Sequence, residues 1–278
     1  MPVTARRFIR KMRGGAQSHL LEADDGNYYV VKFQNNPQHR RILVNESIAG
    51  SILSHLQISS PETTMVRISQ AFLAANPDVY IQTGTRHVAI EEGWHFGSRH
   101  PGDPNLLAIY DFIPDALLSQ VANSREFLAI LVFDRWVSNA DGRQAVFFRA
   151  LLKDWLATPG IPPRKLGFVA MMIDHGFAFN GPHWDLPDSA ITGLYPRRLV
   201  YEKVRSLEDF EPWLTRVANF PDEVLDRAMR QIPPEWIGED EEQLERLLER
   251  LLKRRKRIRE LIEECRLAPG NPFPNWTQ

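Results

Sequence analysis

The secondary-structure signals change once along the chain, and this change constrains the fold more than any other feature. Before about residue 110 the runs "YYVVKFQ", "TMVRIS", "DVYIQ" and "HVAIEE" are strand-like, and Asp25-Gly26 is a strong hairpin signal. One long helical pattern, over 40–56, lies among them. After about residue 110 the patterns are mainly helical. We therefore predict an α+β fold with two lobes, a small β-rich lobe over 1–110 and a larger, mainly helical lobe over 111–278.

Composition excludes several classes of protein. The chain has 278 residues, enough for two lobes that share a cleft. Its formal net charge of −1 gives the whole molecule no electrostatic bias toward nucleic acid or a membrane surface. A single cysteine, Cys265, fits a reducing compartment. The basic N-terminus lacks the apolar core of a signal peptide, and no run approaches the ~18 apolar residues of a membrane span. We expect a cytoplasmic protein without a membrane partner.

One apolar run in the second part of the chain ends on a carboxylate. Residues 168–173 form a predicted buried strand, Asp174 follows directly, and Gly176 comes two positions later. Asp141 lies in a polar loop just after a predicted buried helix. Acids at the ends of buried elements often line clefts, where one can bind Mg²⁺ together with substrate phosphates and another can accept a proton. Alternatively, Asp174 caps a turn and Asp141 starts an Asp-Gly turn, and the residues alone leave both interpretations open.

Two charged residues of the first part stand in apolar surroundings. Glu46 shares one helical stripe with Ile42, Ala49 and Leu53, and Lys32 lies in "YYVVKF". A buried carboxylate is costly unless a cation meets it, so Lys32 is a candidate partner for Glu46. In the alternative, Lys32 snorkels from an edge strand and Glu46 faces solvent. The spacing does not decide between the two.

A glycine-bearing loop precedes the first hairpin. Its segment "GGAQS", residues 14–18, can present backbone amides to phosphate groups, as nests of N–H groups do. Adjacent glycines are also common in plain turns, so the loop by itself indicates little.

In their order along the chain, these segments resemble the phosphate-handling parts of a protein-kinase-like fold. The segments are "GGAQSH", "VVKF", "NES", "FDRWVSNADGR" and "MIDHGFAF". They are similar to the glycine loop, ATP-binding lysine, partner glutamate, catalytic loop and metal-binding Asp-x-Gly of the HipA-like kinase family. That family is a divergent bacterial branch of the kinase fold, related in design to the phosphatidylinositol 3/4-kinases. The resemblance spans about residues 10–180, and residues 181–278 carry no recognisable motif.

The resemblance implies an ATP-dependent kinase that transfers the γ-phosphoryl group to a hydroxyl of a protein Ser/Thr or of a small molecule. Its implied cofactors are ATP and Mg²⁺. Asp141 would accept the proton of the acceptor hydroxyl, and Asp174 would ligate Mg²⁺. Glu46 would position Lys32. The implied nucleotide-binding residues are Gly14, Gly15, Ala16, Gln17, Ser18 and Lys32.

Two positions depart from the family pattern. The family's metal-binding Asn, five residues after the catalytic Asp, is Val146 here, and Gln144 or Asn139 are the candidate replacement ligands. This departure favours, as an alternative, a nucleotide-binding pseudokinase that serves as an interaction module. Met12 stands where some HipA kinases carry a Ser whose phosphorylation switches them off, so that switch is not expected. His175 replaces the Phe of protein kinases, and we assign it no catalytic role.

Two further segments carry concentrated charge or histidine. The run "LLKRRKRIRE" follows an acidic stretch, and the apolar spacing over 244–262 predicts one amphipathic helix with a charged outer face, packed on the lobe or in a coiled coil. A nucleic-acid patch, serving a regulator that works with a DNA-binding partner, is the alternative, and we do not expect it. We predict that "EEGWHFGSRHPGDPN" is an exposed loop with incidental histidines, rather than a phosphate contact. No HxxxH or HExxH pair is present, so no zinc site is expected.

Overall fold

The computed structural model describes residues 1–156 and 160–276. The strands within these residues are β1 (Val3–Lys11), β2 (His19–Ala23), β3 (Tyr28–Lys32), β4 (Thr63–Ile68), β5 (Tyr80–Thr83), β6 (Arg86–Ala89), β7 (Gly93–Arg99), β8 (Gln144–Leu151) and β9 (Leu166–Ile173). The α-helices are α1 (Arg41–Leu56), α2 (Gln70–Ala75), α3 (Asp115–Leu118), α4 (Glu126–Val137), α5 (Trp213–Ala218), α6 (Asp222–Gln231), α7 (Pro234–Ile237), α8 (Glu241–Arg254) and α9 (Ile258–Leu267). Short 3₁₀ segments are Leu152–Asp154, Ala178–His183, Arg198–Tyr201, Leu207–Phe210, Gly238–Asp240 and Arg255–Arg257.

A closed five-stranded barrel, in the order β1-β2-β3-β7-β4, forms the first lobe. Neighbouring strands are antiparallel, except that β1 and β4 are parallel. The predicted hairpin is confirmed: β2 and β3 pair across a turn in which Gly26 has a φ of 77°, a conformation that glycine adopts readily. Alternate apolar residues of these strands, such as Leu21, Val31 and Val66, fill the barrel. The β5–β6 pair is a separate hairpin.

Helix α1 lies between the barrel and the helices of the second lobe. Its residues 42–50 are all buried, including the polar Asn45, Glu46 and Ser47, because the helix is packed against both lobes. It contacts β4 and β7 on one side and α5, α6 and α7 on the other. The second lobe is centred on α4, which is buried from Phe127 to Val137, and it carries the β8–β9 ribbon. The predicted α+β architecture is confirmed, with a β-rich first lobe and a mainly helical second lobe.

The expectation of an exposed loop at "EEGWHFGSRHPGDPN" is wrong. Residues 93–99 form β7, which pairs with both β3 and β4 and so lies inside the barrel wall. Gly97 is required there, because a Cβ at this position would lie 2.5 Å from Val66 Cγ2. His95 is fully buried; its Nδ1 accepts from the Gln34 amide and its Nε2 lies 3.1 Å from the Glu91 carbonyl. The glycines and histidines that indicated a loop instead serve close packing and backbone hydrogen bonding.

The single C-terminal helix predicted from the apolar spacing is also wrong. A 3₁₀ turn at Arg255–Arg257 separates α8 from α9. Arg254, the last residue of α8, is buried at this break and donates to the carbonyl of Trp136 on α4. Ion pairs within the chain engage the basic run: Lys253–Glu249, Arg254–Asp188, Arg255–Asp222, Arg257–Glu260 and Arg259–Glu211. These carboxylates offset the positive charge that the run presents.

The polar loop predicted after the buried helix is present, and the strand β8 begins directly after it at Gln144. In the mainly helical part, the segment "SLEDFEPWLTRV" is divided at Pro212 into the 3₁₀ turn Leu207–Phe210 and α5. Across the described ranges 1–156 and 160–276, no helix combines the length and the apolar character needed to span a membrane.

Candidate active site

A buried lysine shared by two carboxylates forms the centre of the site. Lys32 Nζ lies 2.5 Å from Glu46 Oε1 and 2.8 Å from Asp174 Oδ1. The side chains of Lys32 and Glu46 are 9% and 4% exposed, so the ion pair that the spacing left open is present and desolvated. Three different elements supply the groups: the end of β3, the middle of α1 and the residue that follows β9.

The two carboxylates of this triad stabilise the charge of the lysine. Burial disfavours the charged form of Lys32, but Glu46 and Asp174 outweigh it and raise the lysine pKa. Burial likewise opposes ionisation of Asp174, yet Lys32 outweighs it, so the pKa of Asp174 is lowered. Burial raises the pKa of Glu46 against the attraction of the lysine, and the charge of Asp174 adds to the rise. The lysine is therefore firmly cationic, and Asp174 is the more strongly ionised of its two carboxylates.

Asp174 and Gly176 shape the turn after β9. Asp174 has a φ of 59°, in the left-handed region that non-glycine residues rarely adopt, and such conformations cluster at functional sites. A Cβ on Gly176 would lie 2.6 Å from Ile42 Cγ2 and 3.5 Å from Glu46 Oε1. Glycine is therefore needed because α1 packs directly on this turn. The turn thus brings Asp174 to the same helix that carries Glu46.

Gln144, the first residue of β8, joins the two aspartates predicted from the sequence. Its Nε2 lies 3.2 Å from Asp174 Oδ2 and 3.5 Å from Asp141 Oδ2. Gln144 is opposite Ile173 in the β8–β9 register, so its side chain stands at the end of the ribbon beside Asp174. Asp141 is exposed, and its Oδ1 accepts from the Gly142 amide. The structure therefore brings together Lys32, Glu46, Asp141, Asp174 and Gln144.

Asn139 has a different environment. It is buried; its Nδ2 donates to Asp134 Oδ1 at 2.9 Å, and its Oδ1 accepts from the Asp141 amide at 3.2 Å. Asp134 in turn pairs with Arg143, and both side chains are essentially unexposed. Both polar groups of Asn139 are thus engaged in holding the 139–141 loop.

Arg143 connects this loop to the turn at Asp174. Besides Asp134, its guanidinium donates to the Ile173 carbonyl at 2.8 Å and contacts His175 Nδ1 at 3.1 Å. Burial, reinforced by the positive charge of Arg143, lowers the pKa of His175 well below its usual range. A neutral His175 can therefore accept a hydrogen bond from Arg143 at Nδ1. The network fixes Asp141 and Asp174 relative to each other through the backbone.

Asn45, next to Glu46 on α1, was not identified from the sequence as a site residue. It is fully buried, and its Nδ2 lies 2.7, 3.0 and 3.0 Å from the carbonyls of Gly176, Ala178 and Gly181. Its Oδ1 accepts from Trp184 Nε1 at 2.7 Å. One helix thus holds the lysine through Glu46 and the segment after Asp174 through Asn45. A buried Asn beside the out-of-place Glu46 was the only signal for this role.

The glycine loop leads directly into β2, where His19 pairs with Val31 beside Lys32. A Cβ on Gly15 would lie 2.9 Å from Gln38 Nε2, and Ala16 and Ser18 are buried. Gln17 points elsewhere: its side-chain amide donates to the Gln82 carbonyl and accepts from the Gln82 amide, both at 2.7 Å. The Gln17 side chain therefore attaches the loop to the β5–β6 hairpin, and any phosphate contact is left to the backbone amides.

Comparison with solved structures identifies the fold class. The Fam20 protein of hydra, solved with a sugar, superposes with a TM-score of 0.58 at 12% identity, over 95% of this chain and 86% of that chain. A Golgi casein kinase superposes with a TM-score of 0.53 at 12% identity, over 99% and 78% of the two chains. CtkA, a proinflammatory kinase of Helicobacter pylori, gives 0.44 at 11% identity, over 97% and 99%. The fold is of the protein-kinase type.

Sequence comparison identifies the family. The HipA-like kinase family matches residues 6–147, which is about half of the chain and includes the glycine loop, Lys32, Glu46 and Asp141. The chain belongs to the HipA-like kinase family. No curated protein matches it. The resemblance noted from the motifs is thereby confirmed.

Proposed function

We propose that this protein is an ATP-dependent kinase that transfers the γ-phosphoryl group of ATP to a hydroxyl, on a protein Ser/Thr or a small molecule. The observation that carries the proposal is the shared lysine. A desolvated Lys32 held between Glu46 and Asp174 is costly to bury, and phosphate binding gives that arrangement a use. Phosphoryl transfer needs mainly positioning and charge stabilisation, which a rigid triad can supply.

In this proposal the residues of the chain divide the work. Lys32 binds the α- and β-phosphates, and Glu46 holds its ammonium group in place. The backbone amides of residues 14–18 cover the phosphates, while Gln17 fixes the loop to the hairpin through Gln82. Asn139 and Arg143 position the loop that carries Asp141.

The transfer itself exchanges one phosphorus–oxygen bond for another. The acceptor hydroxyl oxygen attacks the γ-phosphorus, and the bond to the β–γ bridging oxygen breaks, which releases ADP. The hydroxyl proton passes to the carboxylate of Asp141 and then to solvent. Asp141 suits this task because it is exposed to the approaching acceptor and is hydrogen-bonded by its neighbours.

The residues present fit a hard divalent cation. Asp174 and Asp141 supply carboxylate oxygens, and Mg²⁺ prefers one or two carboxylates together with substrate phosphates. The Gln144 side-chain amide, whose Nε2 donates to both aspartates, would present its oxygen Oε1 to the ion if the amide group turned over. Among residues 1–156 and 160–276, no group of three or more His, Cys, Asp or Glu side chains is arranged to hold a metal by itself. In the proposal Asp174 and Gln144 hold the ion beside the phosphates. When bound, Mg²⁺ would neutralise phosphate charge.

A thermal-shift titration tests the nucleotide part of the proposal. ATP with Mg²⁺ at millimolar concentration is expected to raise the melting temperature, because a ligand that binds only the folded state stabilises it. Lys32→Met, which removes the phosphate-binding cation, is expected to abolish the shift. No shift in the natural sequence would overturn the proposal.

Replacement of Asp141 by Asn tests the chemistry. Loss of a general base typically costs 10²–10⁴-fold in rate, so we expect at least a ~100-fold loss of ADP release and of label transfer from γ-labelled ATP to casein. Because Asp141 is exposed, the melting temperature and the ATP-induced shift should be nearly unchanged. Full activity in Asp141→Asn would exclude Asp141 as the base.

A nucleotide-binding pseudokinase is the second candidate function. Val146, at the position of the family's metal-binding Asn, is buried and contributes no ligand, and this favours weakened chemistry. The same two assays separate the candidates. An ATP-induced shift without ADP release or label transfer, unaltered by Asp141→Asn, would establish the pseudokinase.

A further inference from the structure

One face of the β8–β9 ribbon begins at the candidate active site and extends away from it. Along this face the side chains change from polar to apolar after one residue. Residues 144, 146 and 148 share this face, because side chains alternate along a strand. Gln144 stands at the end of the face, between Asp141 and Asp174. The next position inward, Val146, is 7% exposed and is paired with Met171. The polar part of the face is therefore one residue deep.

Beyond Gln144 the face is apolar. Val146 belongs to a cluster with Phe148, Val169 and Met171, against which Leu107 and Ile109 pack. An alkyl side chain offers no lone pair to a cation, and the packed neighbours leave it no polar surroundings. This face of the ribbon thus supplies oxygen ligands for a cation only at its end.

The oxygen donors at that end are few. Lys32 already occupies Asp174 Oδ1, and Oδ2 accepts from Nε2 of Gln144. Asn139 is committed to Asp134 and to the Asp141 amide. Paired divalent cations lie about 3.5–4 Å apart, and each needs its own ligands in addition to any shared carboxylate. If the Gln144 amide turns over so that Oε1 replaces Nε2, that oxygen and Asp174 Oδ2 can anchor a single ion, with Asp141 at its edge.

We infer that this site takes one divalent cation with its nucleotide, bound by Asp174 and Gln144, and that Val146 excludes a second. The inference rests on the proposed nucleotide function. Two-cation kinase sites use the metal-binding Asp together with a catalytic-loop Asn. Here the second set of ligands is replaced by packed hydrocarbon.

The test counts bound cations directly. Mn²⁺ is titrated into the protein saturated with one equivalent of a non-hydrolysable ATP analogue, and bound ions are counted by electron paramagnetic resonance. We expect one Mn²⁺ per protein–nucleotide complex for the natural sequence. Val146→Asn, which restores an oxygen donor on the face, should raise the count to two. Val146→Ala is the matched control: it also disturbs the apolar cluster but adds no donor, so its count should stay at one.

The outcomes distinguish this inference from the proposed function. Failure of the analogue to bind would overturn the proposed function itself. A bound analogue with two Mn²⁺ ions, or with none, in the natural sequence would overturn the one-cation inference alone. A count of one in a folded Val146→Asn would exclude Val146 as the reason. If Val146→Asn does not fold, the count for the natural sequence still decides whether the site takes one cation.

Discussion

At the scale of single residues, Gly176 shows how closely the site is packed. The sequence indicated a glycine that lets the chain turn after Asp174. The structure adds that the missing Cβ leaves space for Ile42, one helical turn before Glu46. Because α1 is packed on both sides, the helix has little room to move away from an added methyl group.

We predict that Gly176→Ala destabilises the protein by about 1–3 kcal/mol, the usual cost of overpacking a core. Moving α1 also moves Glu46, so the ATP-induced thermal shift should decrease. Urea unfolding and the thermal shift measure the two effects. Gly142→Ala is the stability control, because its Cβ would meet its nearest neighbour only at 3.9 Å.

A second variant makes the mechanism specific. In an Ile42→Ala background the Cγ2 that causes the close contact is absent, so Gly176→Ala should cost less than in the natural sequence. Equal costs in the two backgrounds, or a cost no larger than that of Gly142→Ala, would contradict the packing explanation.

The sequence predicted some of these residues better than others. Lys32, Glu46 and Asp174 could be identified because each places charge in an apolar run, and a spatial pair is the simplest remedy. Asn45 and Arg143 could not, since an asparagine in a helix or a basic residue in a loop is ordinary until its partners are known. The partners of Asn45 lie more than 130 positions away.

At the scale of elements, α1 acts as a common support for two parts of the site. Asn45 is the direct connection to the segment after Asp174, with three carbonyls as acceptors and Trp184 as donor. We predict that Asn45→Ala lowers the free energy of unfolding by about 2–4 kcal/mol, because several buried polar groups lose their partner. It should also reduce the thermal shift caused by ATP and Mg²⁺, since the position of Asp174 depends on this segment.

Asn123→Ala is the matched control for Asn45. Asn123 is also buried, and its amide donates to the Ala170 carbonyl at 2.7 Å and accepts from the Ala170 amide at 2.8 Å. We expect Asn123→Ala to lose a comparable amount of stability and to retain the thermal shift caused by ATP and Mg²⁺. If both variants lose the shift to the same degree, Asn45 has only a structural role.

Elements with a clear period were predicted well, and those with mixed signals were not. The helix over 40–56 follows from apolar periodicity, and the strand ending at Ile173 follows from a continuous apolar run. Strand β7 was missed because a barrel wall requires Gly97 for close approach, and its buried His95 is satisfied by backbone partners that the sequence does not reveal. The break between α8 and α9 was missed because it depends on where Arg254 finds its acceptors.

At the scale of the whole molecule, two buried groups give opposing dependences of stability on pH. Burial lowers the pKa of His95 to about 4, so between pH 6.5 and 4 the unfolded chain binds a proton that the folded protein does not. Stability contributed by His95 is therefore lost as the pH falls through this window. Burial raises the pKa of Glu126 to about 7 from 4.5, so its contribution is lost as the pH rises through that range.

We predict that one variant at each position changes how the free energy of unfolding depends on pH. Glu126→Gln can still accept from the Ser59 amide but does not titrate, so its stability should fall more steeply than that of the natural protein between pH 6.5 and 4.5. His95→Asn can keep an acceptor for the Gln34 amide, and its stability should fall less steeply. Each effect is on the order of 2–3 kcal/mol, from about 1.4 kcal/mol per pKa unit. Urea unfolding at a series of pH values measures both.

Three other buried histidines, His19, His100 and His175, also have pKa values lowered first by burial. Their contributions have the same sign as that of His95, so each adds to the loss of stability on acidification. Identical pH slopes for the natural protein and Glu126→Gln would show that Glu126 does not titrate in this range.

The long-range contacts of the site also determine when it can form while the chain is being synthesised. Lys32 and Asp174 are 142 positions apart, and Asn45 reaches carbonyls 131 to 136 positions later. Such contacts form only after long stretches of chain have closed on themselves. A nascent chain that has released only its first 110 residues carries Lys32 and Glu46 but neither aspartate. The complete constellation therefore forms late on the ribosome, and until then the buried lysine has only one of its two carboxylates.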